Sequence, residues 1–146
     1  MFFAENNSRE VTRQFNPFPL DDETARKITH EARNDLYFIA FHDEKIVGLC
    51  MLRGMDLGYD APSFGVLVHR EHRGHGLGTK MTRFALQQAL KLGFKRVRLS
   101  VYSSNQEAMR LYSFIGFKEV SREKVSVRGE NDEKVVMVKE LFKTDD

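Results

Sequence analysis

The sequence predicts an α/β fold, a mixed β-sheet with helices packed on it, organised as a single domain over residues 1–146. Three observations predict it. "DLYFIAFHDEKIVGLCMLRGM" consists of two apolar runs around a short polar turn. "SFGVLVH" leads through a glycine-rich segment into an amphipathic helical pattern and then the alternating "RVRLSVY". A second helical pattern and two further strand patterns close the chain, which gives strands interleaved with helices.

The elements follow in order. "RQFNPFPL", with its two prolines, reads as a packed extended arm rather than a regular strand. Asp21 or Asp22 caps a helix running to about Arg33. The hairpin strands are 36–42 and 45–53, turning at Asp43-Glu44. Residues 63–69 are mostly apolar and read as a central strand. In the helix after the glycines, Leu77, Met81, Phe84, Ala85, Gln88 and Leu92 form the apolar face; Lys80, Arg83, Gln87 and Lys91 lie opposite, and Gly93 stops it. A strand covers 96–102. The next helix starts at Ser104 or Asn105, with Ser104 and Glu107 as a capping box, and ends near Gly116. Strands near 117–124 and 133–141 complete the sheet.

Composition narrows the function. Of the 146 residues, 41% are hydrophobic, enough for one sizeable core. The formal net charge of +2 gives no warrant for nucleic acid or an anionic membrane as the main partner. Lys95, Arg96 and Arg98 in "KLGFKRVRLS" read as a solvated strand entrance. Cys50 is the single cysteine, so no internal disulfide forms, and its setting in "IVGLCML" reads as a buried small hydrophobe. No apolar run approaches the roughly 20 residues that span a bilayer, and the N-terminus does not resemble a signal peptide. The expected setting is cytoplasmic, without membrane or metal.

The most informative stretch is "HREHRGHGLGTK", between a strand and a helix. Glycines at 74, 76 and 78 leave the first helical N–H groups open, and these groups with the helix dipole form an anion site suited to phosphate. Arg73 adds a charge-assisted contact and Thr79 a hydroxyl. The spacing departs from the P-loop, and a dinucleotide fold would need a different spacing and an acid after the next strand.

"VHREHRGHGLG" resembles the acyl-CoA-binding motif of the GNAT acetyltransferase superfamily, [R/Q]-x-x-G-x-[G/A], on Arg73, Gly76 and Gly78. The wider pattern V-x-P-x-x-R-G-x-G-x-G fits Val68 through Gly78, with Arg70 in place of proline. "NQEAMRLYSFIGF" resembles the second signature, N-x-x-A-x-x-[LF]-Y-x-x-x-G-F, in the expected order and on the expected helix. The resemblance covers about residues 36–125.

It implies a GNAT-like fold, with a central sheet splayed at the strand before the loop, and direct acetyl transfer from acetyl-CoA to a primary amine. The implied cofactor-binding residues are Leu67, Val68, Arg73, Gly74, His75, Gly76, Leu77, Gly78, Thr79, Asn105, Ala108 and Tyr112. Tyr112 would be the general acid that protonates the leaving thiolate. Asn105, Ala108 and Tyr112 independently share one helix face.

The acceptor amine must lose a proton before attack, and "SFGVLV" holds no acid. Base candidates are Asp56 or His69, with Tyr59, Asp60 and Glu71 behind them; His69 has the most suitable ordinary pKa. "MLRGMDLGYDAPSFGVLV" resembles members found with surface-polysaccharide and amino-sugar pathways, which puts an amino-sugar nucleotide first among acceptors. Polyamines, antibiotics, amino acids and protein or peptide amines stay open. Only one clear helix precedes residue 36, where the family has a strand and two helices. Acceptor recognition is then either reduced or shared with a partner subunit, as in a homodimer. The rival of a different class is a non-catalytic acyl-CoA-binding module.

Overall fold

The computed structural model describes residues 2–3, 21–31, 34–58 and 60–142, with side chains for all of these but 28–31. The expected arm at 13–20 lies outside them, as does Tyr59. Helix α1 covers Asp22–Glu31 and is capped as expected: the Asp21 carboxylate accepts from the Thr24 N–H at 2.7 Å. Strands β1 (Leu36–His42) and β2 (Lys45–Arg53) form the hairpin. Asp43 and Glu44 both have positive φ, 49° and 63°, which is the turn handedness that matches twisted strands. A 3₁₀ turn at Met55–Leu57 leads to β3 (Ser63–Val68), and a second at Arg70–His72 precedes α2 (Leu77–Lys91). Then come β4 (Arg96–Tyr102), α3 (Gln106–Ile115), β5 (Lys118–Val127) and β6 (Glu130–Glu140).

The six strands form one sheet in the order β1-β2-β3-β4-β6-β5. All neighbours are antiparallel except β3 and β4, which are joined through α2. The last hairpin is longer than its sequence pattern suggests. Arg128 and Gly129, at φ 51° and 81°, make a tight turn that carries pairing out to Val127 and Glu130.

Strand alternation divides the buried residues between two faces. Cys50, Leu52, Phe64, Val97, Leu99, Val101, Val135 and Met137 face α2 and α3 and make the main core. Leu49, Met51 and Leu67 point the other way and pack against Phe2. Cys50 is fully buried, as expected, and burial pushes its thiol up to about 12.

The buried face of α2 is rotated from its expected position. Met81, Thr82, Ala85, Leu86 and Ala89 are buried, whereas Phe84 and Leu92 are 43% and 57% exposed. Ala85 and Ala89 let the helix lie close to the sheet, leaving no room there for large side chains. Thr82 fits because its hydroxyl donates to the Gly78 carbonyl at 2.7 Å. The helix ends as expected: Gly93 (φ 88°) donates to the Leu90 carbonyl and Phe94 to the Ala89 carbonyl.

Candidate active site

The sheet is open in the middle. Strands β3 and β4 pair at Ser63↔Arg98 and at no later position, with one adjoining bond from the Arg98 N–H to the Pro62 carbonyl at 3.0 Å. Beyond that point the strands diverge. The backbone of Gly65–Val68 keeps its pairing with β2 but not with β4. The gap is a cleft of about 500 Å³. Divergence exposes amide groups of β3 that a flat sheet would have spent on β4, and a ligand with its own amides can take them.

The cleft has two unlike walls. On the side of α2 and α3 it is lined by Phe64, Val66, Val101, Ala108, Leu111 and Tyr112. On the opposite face, by strand alternation, it is lined by Arg53, Ser63, Ser100, Tyr102 and Lys134. Its mouth is at Val68, Arg73, Asn105 and Glu107.

Tyr112 is fixed by edge-to-face contacts with Phe64, centroids 6.3 Å apart, and Phe117 at 5.7 Å. Burial pushes its phenol up to about 12, so it holds its proton throughout the physiological range. The α3 N-terminus is held by two devices. The Asn105 side-chain oxygen accepts from the Ala108 N–H at 3.2 Å. Ser104 does not form the expected capping box with Glu107. Its hydroxyl instead donates to Asp132 at 2.6 Å, and Asp132 also accepts from the Ser103 hydroxyl and the Glu133 N–H, clamping the β4–α3 turn to the last hairpin. Asn105→Ala is therefore expected to lose about 1 kcal/mol of stability, the usual worth of such a cap, read as a lowered midpoint in a thermal melt.

At the mouth, α2 begins on Gly76, in the left-handed region at φ 78°, with no side-chain cap and no acid in the first turn. The N–H groups of Leu77, Gly78 and Thr79 are thus left to a ligand at the positive end of a 15-residue helix. Arg73 Nε donates to the Val68 carbonyl at 3.4 Å, which holds the guanidinium between the loop and the cleft.

Of the twelve expected cofactor residues, Leu67, Val68, Arg73, Asn105, Ala108 and Tyr112 line the cleft. Gly74, His75, Gly76, Leu77, Gly78 and Thr79 form the adjoining loop and first helical turn, beside the mouth rather than in it. The two base candidates fall elsewhere. The Asp56 carboxylate accepts from the N–H groups of Asn34 at 2.7 Å and Asp35 at 3.2 Å, and Asp35 accepts from the Asp56 N–H in return. That reciprocal pair ties the start of β1 to the turn after β2. His69 is 8% exposed, with Nδ1 accepting from the Glu71 N–H and its ring beside Phe2 and His72. Neither lines the cleft. Residues of the polar wall, Arg53, Ser63, Ser100 and Lys134, carried no sequence signal, because only the divergence of two strands brings them together.

A family model, "Acetyltransferase (GNAT) family", matches residues 5–117. The chain is 34% identical over 85 residues to the uncharacterized N-acetyltransferase YobR of Bacillus subtilis (strain 168); the match takes in 58% of this chain and 34% of that protein's length. Among solved structures, ribosomal-protein-alanine N-acetyltransferase from Brucella melitensis superposes with a TM-score of 0.81 at 19% identity, over 95% of this chain and 91% of that one. Spermidine N-acetyltransferase from Vibrio cholerae, in complex with CoA and spermine, gives 0.80 at 21% identity, over 94% and 86%. At these identities the structural likenesses speak for the fold. The mixed sheet splayed between β3 and β4 agrees with the fold expected from the sequence.

Proposed function

From the premise that this chain belongs to the acetyltransferase (GNAT) family, we propose that its residues act as one N-acetyltransferase domain, moving the acetyl group of acetyl-CoA directly to a primary amine of a small molecule. The observation that carries this reading is the cleft between β3 and β4, with an anion site at one end and a protonated tyrosine in its apolar wall. The length and polarity of CoA suit that sequence of features. Its pyrophosphate would take the N–H groups of Leu77, Gly78 and Thr79 together with Arg73. Its pantetheine amides would pair with the backbone of Gly65–Val68. The thioester would then lie against Tyr112.

The amine nitrogen attacks the acetyl carbon from the polar face, forming the C–N bond as the C–S bond breaks. The electron pair leaves on sulfur, where the Tyr112 hydroxyl supplies a hydrogen bond as the charge develops. The amine proton leaves to water in the polar half of the cleft, since Asp56 and His69 lie outside it. An amino-sugar nucleotide is the leading acceptor, and a wall bearing Ser63, Ser100 and Tyr102 hydroxyls suits a sugar.

Calorimetry with acetyl-CoA, beside a CoA-release screen across amine classes, tests the reading. Tight binding with turnover on at least one small amine is expected. Tight binding with no turnover on any amine would make the chain an acyl-CoA-binding module instead.

A further inference from the structure

Helix α2 carries charge of one sign only. Its 15 residues include Lys80, Arg83 and Lys91 and no acid. Lys80 and Arg83 are exposed, and they follow directly on the N–H groups assigned above to the pyrophosphate. Thr79 and Arg83, at i and i+4, share a helix face about 6 Å apart along the axis. Helical side chains lean toward the N-terminus, so both cations lean back toward the anion site rather than away from it.

Helix α3 forms the other side of an outer groove. A β-carbon on Gly78 would touch Leu111, so the two helices meet just past the mouth of the cleft. Further along both helices, the Arg83 guanidinium lies over the Phe114 ring, 5.9 Å from its centroid. Phe114 is 79% exposed, more than any other large apolar side chain among the described residues. Glu107 is the one acid on these two helices, and it sits at the mouth, in the first turn of α3. Neither Lys80 nor Arg83 is held in an ion pair among the described residues.

This order of groups has a counterpart in the donor. One ribose beyond its pyrophosphate, CoA carries a 3′-phosphate monoester with close to two negative charges, and then an adenine. A guanidinium fork and an ammonium suit the first, and the face of an exposed aromatic ring suits the second. We propose that the outer groove between α2 and α3 receives the adenosine end of the donor, with Lys80 and Arg83 taking the 3′-phosphate and Phe114 the adenine. This rests on the donor reading above and deepens it. The protein then separates CoA from carriers that present the same pantetheine arm without a 3′-phosphate.

Calorimetry on the full chain with CoA and with 3′-dephospho-CoA tests the proposal. CoA is expected to bind about 5- to 10-fold more tightly at low salt, the scale of two exposed charge contacts, and the ratio should shrink as salt screens them. Lys80→Gln with Arg83→Gln should bring the ratio to one while affinity for dephospho-CoA holds. Lys80→Gln alone leaves the contact between Arg83 and Phe114 in place, should lower the ratio in part, and serves if the double variant fails a thermal melt. Phe114→Ala should weaken both nucleotides equally, by about 10-fold, and leave their ratio unchanged. A ratio of one in the wild type, a ratio that survives the folded double variant, or nucleotide affinities untouched by Phe114→Ala overturns this proposal and leaves the donor reading in place. Failure of the wild type to bind either nucleotide overturns both.

Discussion

Gly78→Glu is expected to abolish acetyl-CoA binding while leaving the protein folded. A β-carbon at this position would meet only the Leu111 Cδ1 at 3.7 Å and the Val68 Cγ2 at 3.9 Å, both ordinary contacts. The residue lies within α2 and its φ is not in the left-handed region, so a side chain brings no backbone strain. The carboxylate, however, would occupy the helix N-terminus that the pyrophosphate needs. Two or three charge-assisted hydrogen bonds are then lost, at about 1.5–3 kcal/mol each, and like-charge repulsion is added. Affinity should fall by on the order of 10³-fold or more. An acid in the first turn also favours the helix dipole, so the melting midpoint should hold or rise. Binding and stability thus move in opposite directions, which misfolding cannot imitate. Calorimetry with a thermal melt reads both, and undiminished affinity in the folded variant would remove the anion site from the account. Gly76→Asp is less clean, because φ 78° there penalises any side chain.

Tyr112→Phe is expected to lower kcat by about 10²-fold with little change in acetyl-CoA affinity. Phenylalanine keeps the contacts with Phe64 and Phe117 and loses only the hydroxyl. With burial pushing the phenol up to about 12, full proton transfer to a thiolate of ordinary pKa, about 8.5, is uphill. The hydroxyl's contribution is therefore a hydrogen bond to sulfur that strengthens as charge develops, comparable to one oxyanion-hole donor. The same high pKa means that ionisation of Tyr112 should produce no loss of rate below about pH 10. Single-turnover acetyl transfer to an amine found by the screen gives the number. Wild-type kcat in the variant would take Tyr112 out of the mechanism.

Local signals were legible in the sequence. The β1–β2 hairpin, the glycine segment and the helix α3 are each contained in a short window, where period, turn residues and motif spacing suffice. What required tertiary structure was not. The apolar face of α2 was read from its large residues, but a helix lying close to a sheet buries Ala85, Ala89 and Thr82 and sends Phe84 to the margin, edge-on against Phe38. Ser104 resembles a cap until Asp132, 28 residues away, takes it. Asp56 resembles a base until its carboxylate is seen holding two backbone N–H groups. Arg53 ends an apolar strand like any solvated terminal charge, and it acquires a place in the site only because β3 and β4 part.

In the proposed function, the gap between β3 and β4 holds the donor with its thioester at Tyr112. A crystal structure of the chain grown with CoA tests it most directly. The pyrophosphate is expected on the Leu77–Thr79 N–H groups, the pantetheine paired with Gly65–Val68, and the sulfur within hydrogen-bond reach of the Tyr112 hydroxyl. CoA bound outside the gap, or β4 closed against β3 with the sulfur remote from Tyr112, would contradict it.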